Sequence, residues 1–239
     1  RHFPDEMQGD ALIGNCIGFL GLKQHSIADD GTGYKTGFRH ELLKSSDGNF
    51  RPCDFEFAPD GSLYVIDWHN VLIGHMQHNA RDPLRDHVHG RIYRITYPSR
   101  PLVTPAAVDG APIATLLDNL KLPEYRTRYR SRRELREHPV DEVIPAVQKW
   151  VASLDAKDPN NAHQQLEALW VTWGMNAVDA DLLRKLITHP DHRVRSAAVR
   201  VLRYNFDKFS DTIDLLKKAA SDEHGRVRLE AVIAATWYN

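Results

Sequence analysis

The second half of the run from Phe50 to Thr96, FRPCDFEFAPDGSLYVIDWHNVLIGHMQHNARDPLRDHVHGRIYRIT, concentrates the side chains most able to do chemistry. Five of the 13 histidines, His69, His75, His78, His87 and His89, fall within 21 residues there. Imidazoles exchange protons near neutral pH and ligate metals, so these five are the candidate catalytic bases. Asp67, Arg81, Asp82, Arg85 and Asp86 are the candidates for holding a substrate or cofactor, since guanidinium clamps anions and carboxylate accepts hydrogen bonds. The spacings His75-x2-His78 and His87-x-His89 permit metal ligation, but no HExxH, CxxCH or EF-hand pattern accompanies them, and no metal site is assigned. Glycoside hydrolysis would need two carboxylates about 5 to 10 Å apart across a cleft, and Asp67 with Asp82 or Asp86 are the nearby candidates. The same residues also admit a structural reading. Arg81-Asp82 and Arg85-Asp86 repeat at i and i+4, which suits an internally paired segment stiffening a long loop.

Glycine-punctuated, β-prone stretches surround this loop: Asn15 to Leu22, Tyr34 to Leu43, Arg51 to Ala58, Ser62 to Trp68 and Arg91 to Tyr97. Between the third and fourth, Ala58-Pro59-Asp60-Gly61-Ser62 supplies a Pro that sets φ and a Gly that accepts positive φ, a hairpin signal. Phe55 and Phe57 alternate with Asp54 and Glu56, so the rings share one face of the pleat and the carboxylates the other. Short strands in hairpins without intervening helices indicate an antiparallel sandwich or propeller.

Composition changes near residue 100. The sequence predicts a β domain over residues 1–100, a proline-bearing linker over 101–122 and helical repeats over 123–239. Val143, Ile144, Val147, Trp150 and Val151 recur with helical period; so do Leu166, Leu169, Trp170 and Trp173, then Val194, Ala197, Ala198, Val201 and Leu202. Arg193-Val194-Arg195 returns as Arg226-Val227-Arg228 at an offset of 33 residues, and Glu167-Ala168 returns as Glu230-Ala231 at 63. A second stripe, Ile213, Leu215, Leu216 and Ala219, lies between the two Arg-Val-Arg helices, so each repeat is a helix pair. That periodicity belongs to an α-solenoid. The unit resembles a HEAT repeat, with Asp191, Val194 and Arg195, then Asp222, Val227 and Arg228, at the motif positions. The expected fold is therefore mixed, β then α.

The charge balance, 31 basic against 32 acidic side chains, gives no global field to hold nucleic acid or an anionic membrane. The run Tyr125 to Arg133 carries five arginines and reads as a solvated helix face paired to Glu124, Glu134 and Glu137 rather than a nucleic-acid surface. Trp150, Trp170 and Trp173 read as core. No apolar run approaches the roughly 20 residues that span a bilayer. Cys16 and Cys53 are too far apart for CxxC; a disulfide or free thiols both fit. The chain opens on Arg1 and stops within a helical repeat, and it reads as a piece of a longer protein.

The stretch Asn49 to Thr96, with RPCDFEFAPDGSLYVIDWHN, IGHMQHN-RDP-RDH-HGRIYR and the following TYPSRPL, resembles the C-terminal end of the β-propeller in a family of large bacterial proteins described as membrane-bound dehydrogenases, abundant in planctomycetes and verrucomicrobia. The resemblance extends along the chain through Leu166 to Trp170 and Asp222 to His224. It implies a periplasmic or cell-envelope protein: a propeller like that of quinoprotein glucose or sorbosone dehydrogenases, of which about one or two blades lie here, then HEAT repeats, then a c-type cytochrome domain. The implied activity oxidises a sugar or alcohol, with one loop imidazole taking the hydroxyl proton, an arginine stabilising the reduced quinone (PQQ in the complete propeller), and electrons passing to haem c downstream. This chain has no CxxCH and cannot attach haem c itself. Its implied partners are the rest of its own propeller, the cytochrome domain and a sugar or glycan. The competing expectation is a non-catalytic scaffold that binds a glycan or protein and positions the haem domain.

Overall fold

A computed structural model describes residues 2–73 and 81–237. The chain divides near residue 105 into two compact units.

Two three-stranded sheets form the first. Strands β1 (Ala11–Asn15), β2 (Gly21–Asp30) and β3 (Gly33–Lys44) lie in that order, as do β4 (Pro52–Phe57), β5 (Leu63–Asp67) and β6 (Arg91–Ile95). The β1–β2, β4–β5 and β5–β6 pairs are antiparallel. These six strands do not close into a propeller. The core is small: Phe3, Leu22, Phe50, Leu63 and Val65 are buried, with Phe55 packed against them. The β4–β5 hairpin turns where the Pro-Asp-Gly signal lies. Gly61 has φ of +82°, and the Ala58 N–H donates to the Ser62 carbonyl at 2.8 Å.

The stretch Asn15 to Leu22 is not one strand. Asn15 ends β1 and Gly21 starts β2, and between them the Ile17 and Phe19 N–H groups donate to Asn15 Oδ1 at 2.9 and 3.3 Å. An Asn side chain that captures nearby amides offers the backbone an alternative to the ladder. Most of β1 and β2 carried no strand signal in the sequence. Cys16 and Cys53 are free thiols.

Among the described residues the second unit holds eight α-helices: α1 (Ile113–Asn119), α2 (Tyr125–Glu134), α3 (Val140–Ala152), α4 (Asn161–Gly174), α5 (Ala180–Ile187), α6 (His192–Arg203), α7 (Thr212–Ala220) and α8 (Gly225–Ala235). The apolar stripes face inward, and Leu166, Leu169, Leu183, Leu186, Val194, Val201, Leu202 and Val227 join one core. Helix α1 falls inside the expected linker. It is only seven residues long, too short to show a period, but Leu116, Leu117 and Leu120 are buried. Hairpins α5–α6 and α7–α8 stack with α6 against α8, so each pair covers the other's apolar face as solenoid repeats do.

Acids cap α5 and α6. Asp179 Oδ1 accepts the Leu182 N–H at 2.9 Å and Asp191 Oδ1 the Arg193 N–H at 2.8 Å, satisfying amides that the first turn leaves unpaired. In α2, Arg128 and Arg132 reach the buried Glu167 of α4, while Glu134 takes the Gly110 N–H. For Arg128 and Arg132 that corrects the expected pairing of the run with Glu124, Glu134 and Glu137, because a buried carboxylate two helices further along the chain offered a drier partner. No described helix is long and apolar enough to cross a membrane.

Candidate functional site

Strand alternation decides where the candidate carboxylate goes. Leu63, Val65 and Asp67 occupy the buried face of β5 while Tyr64 and Ile66 are exposed, so the period that fills the core also carries Asp67 inside, at 1% exposure. Register then brings Arg91 opposite it, since Asp67 and Arg91 are Cα partners on β5 and β6. The charged loop leaves the sheet at one of these residues and returns at the other. Asp67 and Arg91 thus form its neck.

Asp67 Oδ1 accepts two backbone N–H groups, from Arg51 at 2.7 Å and His69 at 2.8 Å. Its Oδ2 lies 4.0 Å from Arg91 Nη1 and 4.0 Å from His69 Nδ1. His69 has φ of +52°, a left-handed conformation uncommon outside glycine, and its side chain is 11% exposed. The other ring nitrogen, Nε2, is 3.4 Å from Arg91 Nη2 and 3.9 Å from Asp86 Oδ2. Arginine only donates, so in that contact Nε2 is the acceptor, and Nδ1 faces Asp67. Among the described residues neither Asp67 Oδ2 nor His69 Nδ1 has a hydrogen-bond partner.

Asp86 closes the far side. It accepts the Val88 and His89 N–H groups and pairs with His89 Nδ1 at 2.8 Å. Those two amides, with the His89 ring, hold its carboxyl far below the usual range. Asp47 pairs with Arg91 Nη1 at 3.1 Å; the Asn49 N–H first, and then Arg91, lower its carboxyl. Arg51 does the mechanical work, donating to the carbonyls of Asn70 at 2.8 Å, Cys16 at 3.0 Å and Val71 at 2.9 Å.

Of the candidates, Asp67, His69, Asp86 and His89 come together. His87 is exposed. Asp82 Oδ1 accepts the Leu84 N–H, and Arg85 lies over the Trp68 ring at 4.9 Å. Arg81 is exposed and makes no ion pair among the described residues. His75 and His78 lie outside the described residues. Asp82 and Asp86 each turn onto an amide two residues ahead, the habit of Asp in turns. Asp47, Arg51, Asn70 and Arg91 belong to the network and were not singled out from sequence; only the β5–β6 register could have nominated Arg91. Among the described residues no group of three His, Cys, Asp or Glu is disposed to hold a metal.

A family model described as a domain of unknown function, DUF7133, matches residues 1–99, and a model of HEAT repeats matches residues 180–239. No curated protein and no solved structure matches the chain. The helix pairs α5–α6 and α7–α8 are thus similar to HEAT repeats in both sequence and packing.

Proposed function

We propose that this chain is a scaffold within a larger cell-envelope protein: the end of a propeller-type β domain joined to a HEAT solenoid, holding a glycan or protein and positioning a haem domain. In this reading the His/Asp/Arg loop is a structural closure. The observation that supports it most is Asp67, whose Oδ1 is filled by two backbone amides. A carboxylate committed to fixing backbone at a loop neck has little left for chemistry. The lone pair of His69 Nε2 is likewise turned to Arg91 rather than to a substrate proton.

One observation favours the second reading, a quinoprotein-type dehydrogenase of sugars or alcohols. The buried Asp67 Oδ2 and His69 Nδ1 face one another without partners among the described residues, and His69 is held in a sparsely populated backbone conformation; unsatisfied, strained groups cluster at active sites. The residues present do not fit the implied cofactors. Haem c needs CxxCH, which the chain lacks. The cation nearest His69, Arg91, is engaged by Asp47 and Tyr93 instead of being open to a reduced quinone, and no step is derived through either group.

The two readings part under His69→Gln in the full-length protein. A closure predicts a lower melting temperature with quinone-dependent dye reduction per folded molecule unchanged. Loss of dye reduction at unchanged stability would overturn the scaffold reading.

A further inference from the structure

The helical unit contains a cleft of about 340 Å³ between α2, α4 and α6, within the size range of small-ligand sites. Its walls are aromatic and cationic. Trp170 and Trp173 of α4 and Tyr129 of α2 supply rings, and Arg132, Arg133, Arg136 and Arg200 supply charge. No acidic side chain is among its lining residues. Two carboxylates do touch its arginines, Glu167 on Arg132 and Glu230 on Arg200, but both are buried, at 1% and 6% exposure, and neither lines the cleft. They fix those two side chains while leaving the cavity itself positive.

Arg133 and Arg136 differ from the other two. Both are exposed, and among the described residues neither guanidinium makes a hydrogen bond or an ion pair; Arg133 rests over the Tyr129 ring at 5.9 Å. Arg136 has a shaped seat. A Cβ on Gly174 would lie 2.8 Å from Arg136 Nε and 3.0 Å from Nη2, so its guanidinium packs against helix α4 where a side chain would crowd it. Three residues apart, Arg133 in the last turn of α2 and Arg136 in the 3-10 turn Leu135–Glu137 that follows, the two side chains put forked N–H donors in the lining of one cleft. A planar carboxylate is satisfied by one such fork. A tetrahedral oxyanion has enough acceptors for both. The flanking indoles each have one face taken, Trp170 by Arg132 at 5.4 Å and Trp173 by the Tyr204 ring stacked at 5.3 Å, and a flat body would use the other.

We propose that this cleft binds a phosphate or sulfate ester of an aromatic or sugar ring, the oxyanion between Arg133 and Arg136 and the ring against Trp170 and Trp173. The site stands apart from the role assigned to the β unit, and it holds whether the loop is a closure or a catalytic base.

Titration calorimetry of the 239-residue chain with phenyl phosphate, phenyl sulfate, inorganic phosphate, inorganic sulfate and benzoate tests it. The expected result is saturable binding of one or both ring esters, about tenfold tighter than the matching inorganic ion and than benzoate, a factor set by stacking and by the second fork. Which ester binds more tightly identifies the source of the anion. Arg136→Ala and Arg133→Ala should each weaken binding about tenfold. No binding of either ester, inorganic ions binding as tightly as the esters, or variants that bind like the parent would each overturn the proposal.

Discussion

Arg195 grips Asp222 with both arms, Nε to Oδ2 at 2.7 Å and Nη2 to Oδ1 at 2.8 Å, across 27 residues of chain. Its remaining nitrogen, Nη1, donates to the His189 and Pro190 carbonyls at 2.9 and 2.8 Å. One side chain therefore ties the loop before α6 to the loop before α8. The side chains are 9% and 13% exposed, so this is a pair formed largely out of water. Arg228 repeats the local half of the pattern, donating to the Asp222 and Glu223 carbonyls.

Breaking that pair leaves a buried charge with only the exposed Glu223, 3.3 Å from Nη2. Asp222→Ala should destabilise the helical unit by about 3 kcal/mol, seen as a fall in the melting temperature followed by far-UV dichroism. Arg195→Lys should recover little, because an ammonium cannot reproduce the two-pronged geometry. A Lys variant as stable as the parent would show that the charge alone matters.

The same acids set an acid limit. Arg193 holds Asp191 down to about 2. Burial pushes Asp222 up, but Arg195 and the His224 N–H outweigh it and its carboxyl stays below the ordinary range. A carboxyl whose folded value lies below its unfolded value of about 3.9 contributes stability that is complete above that value. The contribution is lost as pH falls through the folded value. Helical stability should therefore be flat down to about pH 4 and decline between about pH 4 and pH 2, and Asp222→Asn should blunt the decline. A denaturant midpoint that does not move over that window would refute the linkage.

In the β unit, Asp67→Ala and Asp67→Asn separate hydrogen bonding from charge. Alanine leaves the Arg51 and His69 amides without their acceptor, and about 3 kcal/mol of stability should go. Asparagine keeps an oxygen at Oδ1 and should cost about 1 kcal/mol. Chemical denaturation monitored at the β-unit tryptophan Trp68 would report both, and equal losses would mean that the charge facing Arg91 outweighs the two amides.

What could be read beforehand followed from periodicity. The stripes through Val143, Leu166, Val194 and Ile213 fall on α3, α4, α6 and α7, and the Pro59-Asp60-Gly61 turn falls between β4 and β5, because local period and turn chemistry act within a few residues. Trp170 and Trp173 lie on an apolar stripe and pack against the core, and they also line a cleft; a stripe says which side faces inward, not where the packing stops. Partners set by tertiary distance were hidden. Nothing in the run Tyr125 to Arg133 points to a glutamate more than thirty residues away, and Arg91 joins Asp67 only through strand register. The β1–β2 hairpin escaped notice because its strands alternate weakly and expose their far ends.

Glu167 carries the last prediction. It is 1% exposed and accepts from Arg128 Nε at 2.9 Å, from Arg132, and from His163 Nε2 at 3.0 Å. Burial alone would raise its carboxyl, but His163 and Arg132 bring it below the ordinary range. Glu167→Gln removes the charge that two largely buried guanidinium groups share, and should destabilise the helical unit by about 3 kcal/mol. Replacing Arg132 by Met in the same chain removes one of those stranded cations and keeps the apolar stem over Trp170. The double variant should therefore be more stable than Glu167→Gln alone, a coupling visible in a double-mutant cycle of melting temperatures. Additive losses would show that Glu167 acts through Arg128 and His163 without Arg132.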